Sequence, residues 1–175
     1  MANSELVSTL KDALIQELIQ DETFFYAIDS PDVTEFKNSD QLMYKHIFPF
    51  HKNPETITET ITFITIQVHI PRTYDRNKTW VVPRLEIWII SHDEHMMVNN
   101  IPKITDNRND YISKLLDKKF NGRSTFGASK NDKDNIHLYG KMDLVSNVEG
   151  ALNKFLYRQM IFEMKDLNDS LCDEE

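Results

Sequence analysis

Apolar and polar residues alternate with the two-residue period of β-structure through most of the segment 57–92. Ile64, Ile66, Val68 and Ile70 interleave with Thr65, Gln67 and His69, and further on Leu85, Ile87 and Ile89 interleave with Glu86, Trp88 and Ile90. Ile, Val, Thr, Phe and Trp dominate both runs, and these residues fit a pleated, half-buried surface. The pattern predicts two strands, 58–70 and 80–91, joined by a polar connection with Pro71, Asp75, Arg76 and Asn77. The first run alone would reach roughly 43 Å, where a usual strand has about 5–6 residues. Such a hairpin is expected to project at its tip or to complete a sheet in a neighbouring chain. One face is expected to meet the core, and the other a helix or another subunit. Pro83 has no backbone donor, which implies an edge position or a bulge near it. The plainer arrangement is two curved strands inside one sandwich.

A period of three to four residues marks two helices. Ser4 caps the first, Glu5 suits its positive end, and Leu6, Leu10, Ala13, Leu14 and Leu18 form its apolar stripe. It ends at 21–23, and Phe24, Phe25 and Tyr26 are expected to tuck under the fold. The second helix starts at Asp106 or Asn107 and buries Tyr111, Ile112, Leu115, Leu116 and Phe120. Asp110 lies near its positive end and Lys114, Lys118 and Lys119 toward its negative end, with Gly122 placed to terminate it.

Residues 28–56 read as a long irregular connection punctuated by Pro31, Pro49 and Pro54. Within it Tyr44, Ile47, Phe48 and Phe50 form an apolar patch suited to a short added strand or to a loop ordered on assembly. Residues 121–135 form a polar loop with Arg123, Lys130 and Lys133, either a plain surface loop or one facing a pore or partner. The last third predicts strands 136–145, broken at Gly140-Lys141, and 151–167, with a turn around 146–150. Leu156, Arg158, Met160, Phe162 and Met164 share a face of the latter, so Arg158 is expected to meet a buried or interfacial carboxylate. The fold class is α+β: a mixed or antiparallel sheet with a long β-hairpin, flanked by an N-terminal helix and a second helix near 107–120. A single domain is expected over 1–168, followed by an acidic, frayed tail over 169–175.

Composition narrows the function more than the fold. With 40% hydrophobic and 27% charged residues, the chain belongs with ordinary globular proteins. Its net charge of −8 argues against a broad duplex-binding surface and leaves room only for a local basic patch. The single cysteine, Cys172, excludes an internal disulfide or a four-cysteine zinc site and fits a reducing cytoplasm. The start, MANSELVSTLKD, lacks a basic-then-apolar leader, and no apolar run approaches about 18 residues. Neither a signal peptide nor a membrane span is expected.

The run SHDEHMM (91–97) holds four residues of metal-ligand type, but it is not the HExxH helix and it follows a strand, where side chains alternate in direction. A polar strand end or turn is the expectation. The chain has no GxSxG elbow, no Cys–His pair suited to catalysis and no phosphate-cradling GxxxxGK[ST]. Glu59, Glu86 and Glu163 are spread singly along the strands. The expectation is a protein that is not an enzyme, with no catalytic residue, metal or cofactor. A metal-dependent nuclease built on Glu86, Asp93, Lys103 and the neighbouring histidines is the least favoured alternative.

Three stretches carry a family resemblance: RLEIWIISH (84–92) with its closing Ser-His, RNDYISKLLDKKFNG (108–122) with Arg108, Asp110, Leu116 and Asp117 in register, and YRQMIFEMKDLN (157–168). Together with the order of elements, they resemble the neck proteins of tailed bacteriophages, most of all the tail terminator (tail completion) family. The connection 28–56 is longer than that family's simplest members need. The resemblance implies a structural virion protein of the phage neck, assembled in the host bacterial cytoplasm. It forms a homo-oligomeric ring, usually a hexamer, that ends the tail tube and joins it to the head. The partners implied are the tail tube protein and head-proximal connector proteins. Genomic DNA is expected to pass through without specific binding, and the net negative charge leads us to expect acidic side chains on the lumen. Arg84, Trp88 and Arg158 are the candidate subunit-interface residues, since Trp and Arg commonly anchor interfaces. Trp88 as a plain core residue is the competing reading. Another connector (stopper or adaptor) or a small interaction or regulatory protein stays open.

Overall fold

The computed structural model describes residues 3–71, 79–129, 131 and 135–167. The first apolar stripe makes α1 (Asn3–Ile19), with Leu10, Leu14 and Leu18 fully buried. Asp21 separates it from α2 (Glu22–Ile28), because its carboxylate accepts the Phe24 N–H at 3.1 Å and starts a new helix. Phe24 and Phe25 are buried on α2 while Tyr26 remains exposed, so the aromatic triplet tucks in as a short helix. The long connection carries a 3-10 turn at Phe36–Leu42 and another at Pro54–Thr56, and its apolar patch does add a strand, β1 (Ile47–Phe48).

The alternating segment forms β2 (Thr62–His69), β3 (Trp80–Val81) and β4 (Arg84–His92). β2 and β4 pair antiparallel from Thr62–Ser91 to His69–Arg84, which is the expected hairpin with shorter arms. Residues 58–61 and Ile70 lie outside the ladder, and the Asp75, Arg76 and Asn77 of the connection lie outside the described residues. The run 80–91 divides at Pro83, which has no N–H to continue the ladder. Ahead of it, β3 leaves the main sheet to pair with β9 (Asp166–Leu167); behind it, β4 takes the central position rather than an edge.

α3 (Arg108–Phe120) follows, capped by Asn107, whose side chain accepts the Asp110 N–H at 2.9 Å. Gly122 takes a φ of +78° past its end, the left-handed conformation expected there. The loop 121–135 opens with β5 (Thr125–Phe126), which pairs with β6 (Ile136–His137) in a small ribbon; Lys130 and Lys133 lie outside the described residues. The chain ends in a second hairpin, β7 (Asp143–Leu152) and β8 (Phe155–Glu163). Its turn falls at Asn153-Lys154, not at 146–150, because Asn153 adopts a φ of +54°, which asparagine tolerates. Gly150 stays in the strand and leaves room for Tyr157, whose hydroxyl would lie 2.4 Å from a Cβ at that position. The tail from 168, with Cys172, is outside the described residues.

The main sheet has the order β1-β2-β4-β8-β7, parallel only between β1 and β2, so the fold is α+β with a mixed five-stranded sheet. On one face Ile64, Ile66, Ile87, Ile89, Met160 and Phe162 pack with Leu10, Leu14, Ile112 and Leu116 of the helices. Each such buried side chain contributes about 1.5–3 kcal/mol. On the other face a smaller cluster of Phe48, Phe63, Ile90 and Phe155 closes one end, with Trp88 and Tyr157 packed against it. No helix among the described residues is long and apolar enough to cross a membrane.

Candidate functional site

The three residues singled out as interface anchors all have partners within the chain. Arg84 pairs across the ladder with Glu163, its Nε donating to the carboxylate at 3.1 Å. Trp88 donates from Nε1 to Glu86 at 2.7 Å, and its ring centroid lies 5.0 Å from that of Tyr157. Arg158 meets the carboxylate expected of it twice over: it pairs with Asp110 on α3 and, at 3.0 Å, with Glu149 on β7, while Asn147 accepts a third bond at 3.1 Å. Arg84 and Trp88 share the helix-free face of β4. Arg158 pairs with Ile89 and so lies on the helix-covered face, which keeps the three from forming one site.

Other motif residues form a buried polar clamp. Arg108, only 1% exposed, donates from Nε to the His95 carbonyl, from Nη1 to Ala27, and from Nη2 to Met97 and the Asp29 carboxylate, all within 2.7–3.0 Å. Beside it the Ser91 hydroxyl donates to Asn109 at 2.7 Å and lies 2.8 Å from the Thr62 hydroxyl, which in turn lies 2.8 Å from His95 Nδ1. Asn109 also donates to the Leu156 carbonyl at 2.9 Å, binding α3 to β8. Burial pushes the His95 imidazole below its ordinary pKa, and the Arg108 charge adds to that, with Asp29 opposing. Burial also lowers His46, whose Nδ1 lies 2.7 Å from the Thr62 carbonyl. The clamp holds α2, α3 and the end of the central hairpin together. Sequence periodicity missed it, since an arginine and an asparagine at the start of a helix look like solvated residues.

The run SHDEHMM is a strand end followed by a 3-10 turn, Asp93–His95, with His92 Nδ1 2.8 Å from the Asp93 carboxylate. Glu86 accepts bonds from Trp88 and Gln159. Seven residues of extended chain put it about 23 Å from Asp93, too far for both to hold one metal ion. Among the described residues, no three His, Cys, Asp or Glu side chains are grouped closely enough to hold one. Arg123 at the base of the polar loop donates to both oxygens of the buried Glu17, at 2.7 and 3.0 Å.

Apart from Tyr26, Met97 and Tyr139, the large apolar side chains that face outward lie toward the two edges of the main sheet. Among the described residues β7 pairs only with β8; its Leu144 N–H is held by the Asn121 side chain at 3.1 Å and a bulge falls at Val145, so the outer edge is open from Ser146 to Leu152. Val145, Val148 and Leu152 are 53%, 48% and 39% exposed along this strand, an unusual apolar display for an edge strand. Asp143 and Glu149 give it a negative charge. At the opposite edge β1 covers β2 only at Ile47–Ile64 and Phe48–Thr65. Pro49, without an N–H, cannot extend the ladder. Past it a groove of about 640 Å³ opens beside Val68 and His69, walled by Lys11, Pro49, Phe50 and His51.

A model of the YomW protein family matches residues 3–164, a span that includes both sheet edges and the Arg108 clamp. Among curated proteins none matches the chain.

Proposed function

The chain belongs to the YomW family of SPBeta-like Bacillus phages and is thus phage-associated, and we propose that it is a structural protein of the phage neck: a tail terminator that assembles as a ring. The observation that carries this reading is the open, apolar edge of β7. A protein working alone normally blunts or covers such an edge, whereas a protein built into an assembly uses it. Closed rings arise when one edge or patch of a subunit meets a different patch of the next. The β7 edge and the β2 groove, at opposite ends of one sheet, are such a pair of patches. The net charge of −8 suits a passage through which DNA moves without being gripped. On this reading the ring ends the tail tube, meets head-proximal connector proteins on its other side, and resides in the virion neck.

The test is to mix the purified protein with tail tubes of an SPBeta-like phage and image the sample by negative stain. Open-centred rings seated at tube ends are expected. Binding to a head connector but not to tubes would move the assignment to a stopper or adaptor. Failure to bind either one would overturn the neck reading.

A further inference from the structure

We propose that β7 of one copy adds to the uncovered half of β2 in a second copy, seating in the groove beside Pro49, so that the sheet runs on from chain to chain. The inference rests on the ring reading and names the contact that builds the ring. Its first support is backbone geometry. The Ile64 N–H donates to the His46 carbonyl at 2.7 Å, which fixes the side of β2 that faces β1. Alternate residues of a strand turn their N–H and C=O the same way, so those of Val68 face the groove beyond the last β1 pairing. Past the bulge at Val145 and the Leu144 N–H held by Asn121, β7 offers an edge from Ser146 to Leu152 whose outer N–H and C=O groups have no strand partner among the described residues.

The side chains match as well. The strand brings the Asp143 carboxylate and the exposed Val148 and Leu152, with Glu149 beside them already paired to Arg158 at 3.0 Å. The groove offers Lys11 on its wall and Lys52 beside it, over the Phe48 ring. Its shoulder is the stacked pair Tyr44 and Phe50, both exposed, with centroids 6.5 Å apart. Glu86 also lines the groove, with Trp88 and Gln159 as its partners. Opposite charges at such a contact orient the encounter and disfavour wrong partners. Two β7 strands meeting each other would instead bring like charges together.

Cysteine cross-linking in a Cys172→Ser background tests the contact, since no other cysteine is then present. Val148 pairs with Gln159 and Gln67 with Glu86, so both lie on the helix-free face of their strands and align in a continued sheet. One preparation carries Val148→Cys and the other Gln67→Cys; a second pair, Ser146→Cys with His69→Cys, covers a shifted register. A disulfide needs Cα atoms within about 7 Å, so only neighbouring strands respond. The mixed sample is expected to yield cross-linked dimers on oxidation, and each single variant alone is not. Dimers from Val148→Cys alone would overturn the proposal in favour of a symmetric β7 contact. Rings that form without any mixed cross-link would overturn it while leaving the ring reading intact. A protein that stays monomeric and never binds tubes would overturn both.

Discussion

The two hairpins of this fold have similar lengths and differ in one strand: β8 is covered much as the central pair is, and β7 is not. In β2 and β4 every residue is buried or half-buried, whereas β7 is exposed along most of its length. The central hairpin is held at one end by Arg108, which is enclosed by three carbonyls and one carboxylate. The edge hairpin is held by Arg158, which shares two carboxylates nearer the surface. Strand length alone therefore did not indicate which strand offers the free edge. The long alternating segment builds the core, and the less conspicuous strand, whose apolar residues are few and spaced unevenly, carries the free edge.

The largest effect that would break this contrast lies at the two arginines. Arg108→Ala leaves the Asp29 carboxylate and three carbonyls without their donor, and is expected to cost about 3–5 kcal/mol in chemical denaturation. Arg158→Ala is expected to cost less, about 1–3 kcal/mol, because its partners reach water. Equal losses would mean that the edge hairpin is as integral to the fold as the centre. Next comes a pair of truncations. Ile87→Ala, at a fully buried position, is expected to lose about 2–5 kcal/mol, and Val148→Ala to stay within about 0.5 kcal/mol of the parent.

The smallest effect is in pH. His46 and His95 both have folded pKa values below the unfolded 6.5, so the fold prefers them neutral. Below pH 6.5 the unfolded chain binds more protons, and stability is lost as the pH falls toward the folded values. It is fully present above pH 6.5. Thermal melts from pH 7.5 down to 5.5 are expected to show this decline, with a shallower slope in His95→Gln. A slope unchanged by that substitution would place the titration elsewhere.

Much of the fold was legible because local chemistry and tertiary packing agree. α3 shows this best: Asn107 caps it, Ile112 and Leu116 are buried, and Gly122 ends it as the sequence implies. β1 is another case, where an apolar Ile-Phe pair ahead of Pro49 forms the short strand. The sequence misled where a distant residue decides. Gly150 reads as a turn, yet it lies in a strand because Tyr157 occupies the space a side chain would need. The run 80–91 reads as one strand, yet Pro83 divides it and Trp80 finds its partner at Leu167. The α2 helix was concealed by its shortness, with only the Asp21 cap to announce it. Among site residues, Arg158 and its need for carboxylates were legible from its apolar neighbours. The open edge of β7 was not, because strand order cannot be read from one strand's own pattern.

The most direct test of the central claim is native mass spectrometry of three proteins at matched concentration: the parent, Val148→Asp and Trp88→Ala. A ring is expected for the parent and for Trp88→Ala. Dissociated subunits are expected for Val148→Asp, with a melting temperature close to that of the parent's monomer. A Val148→Asp protein that still forms the parent's ring, or a ring lost only in Trp88→Ala, would contradict the claim and move the contact from the sheet edge to the sheet face.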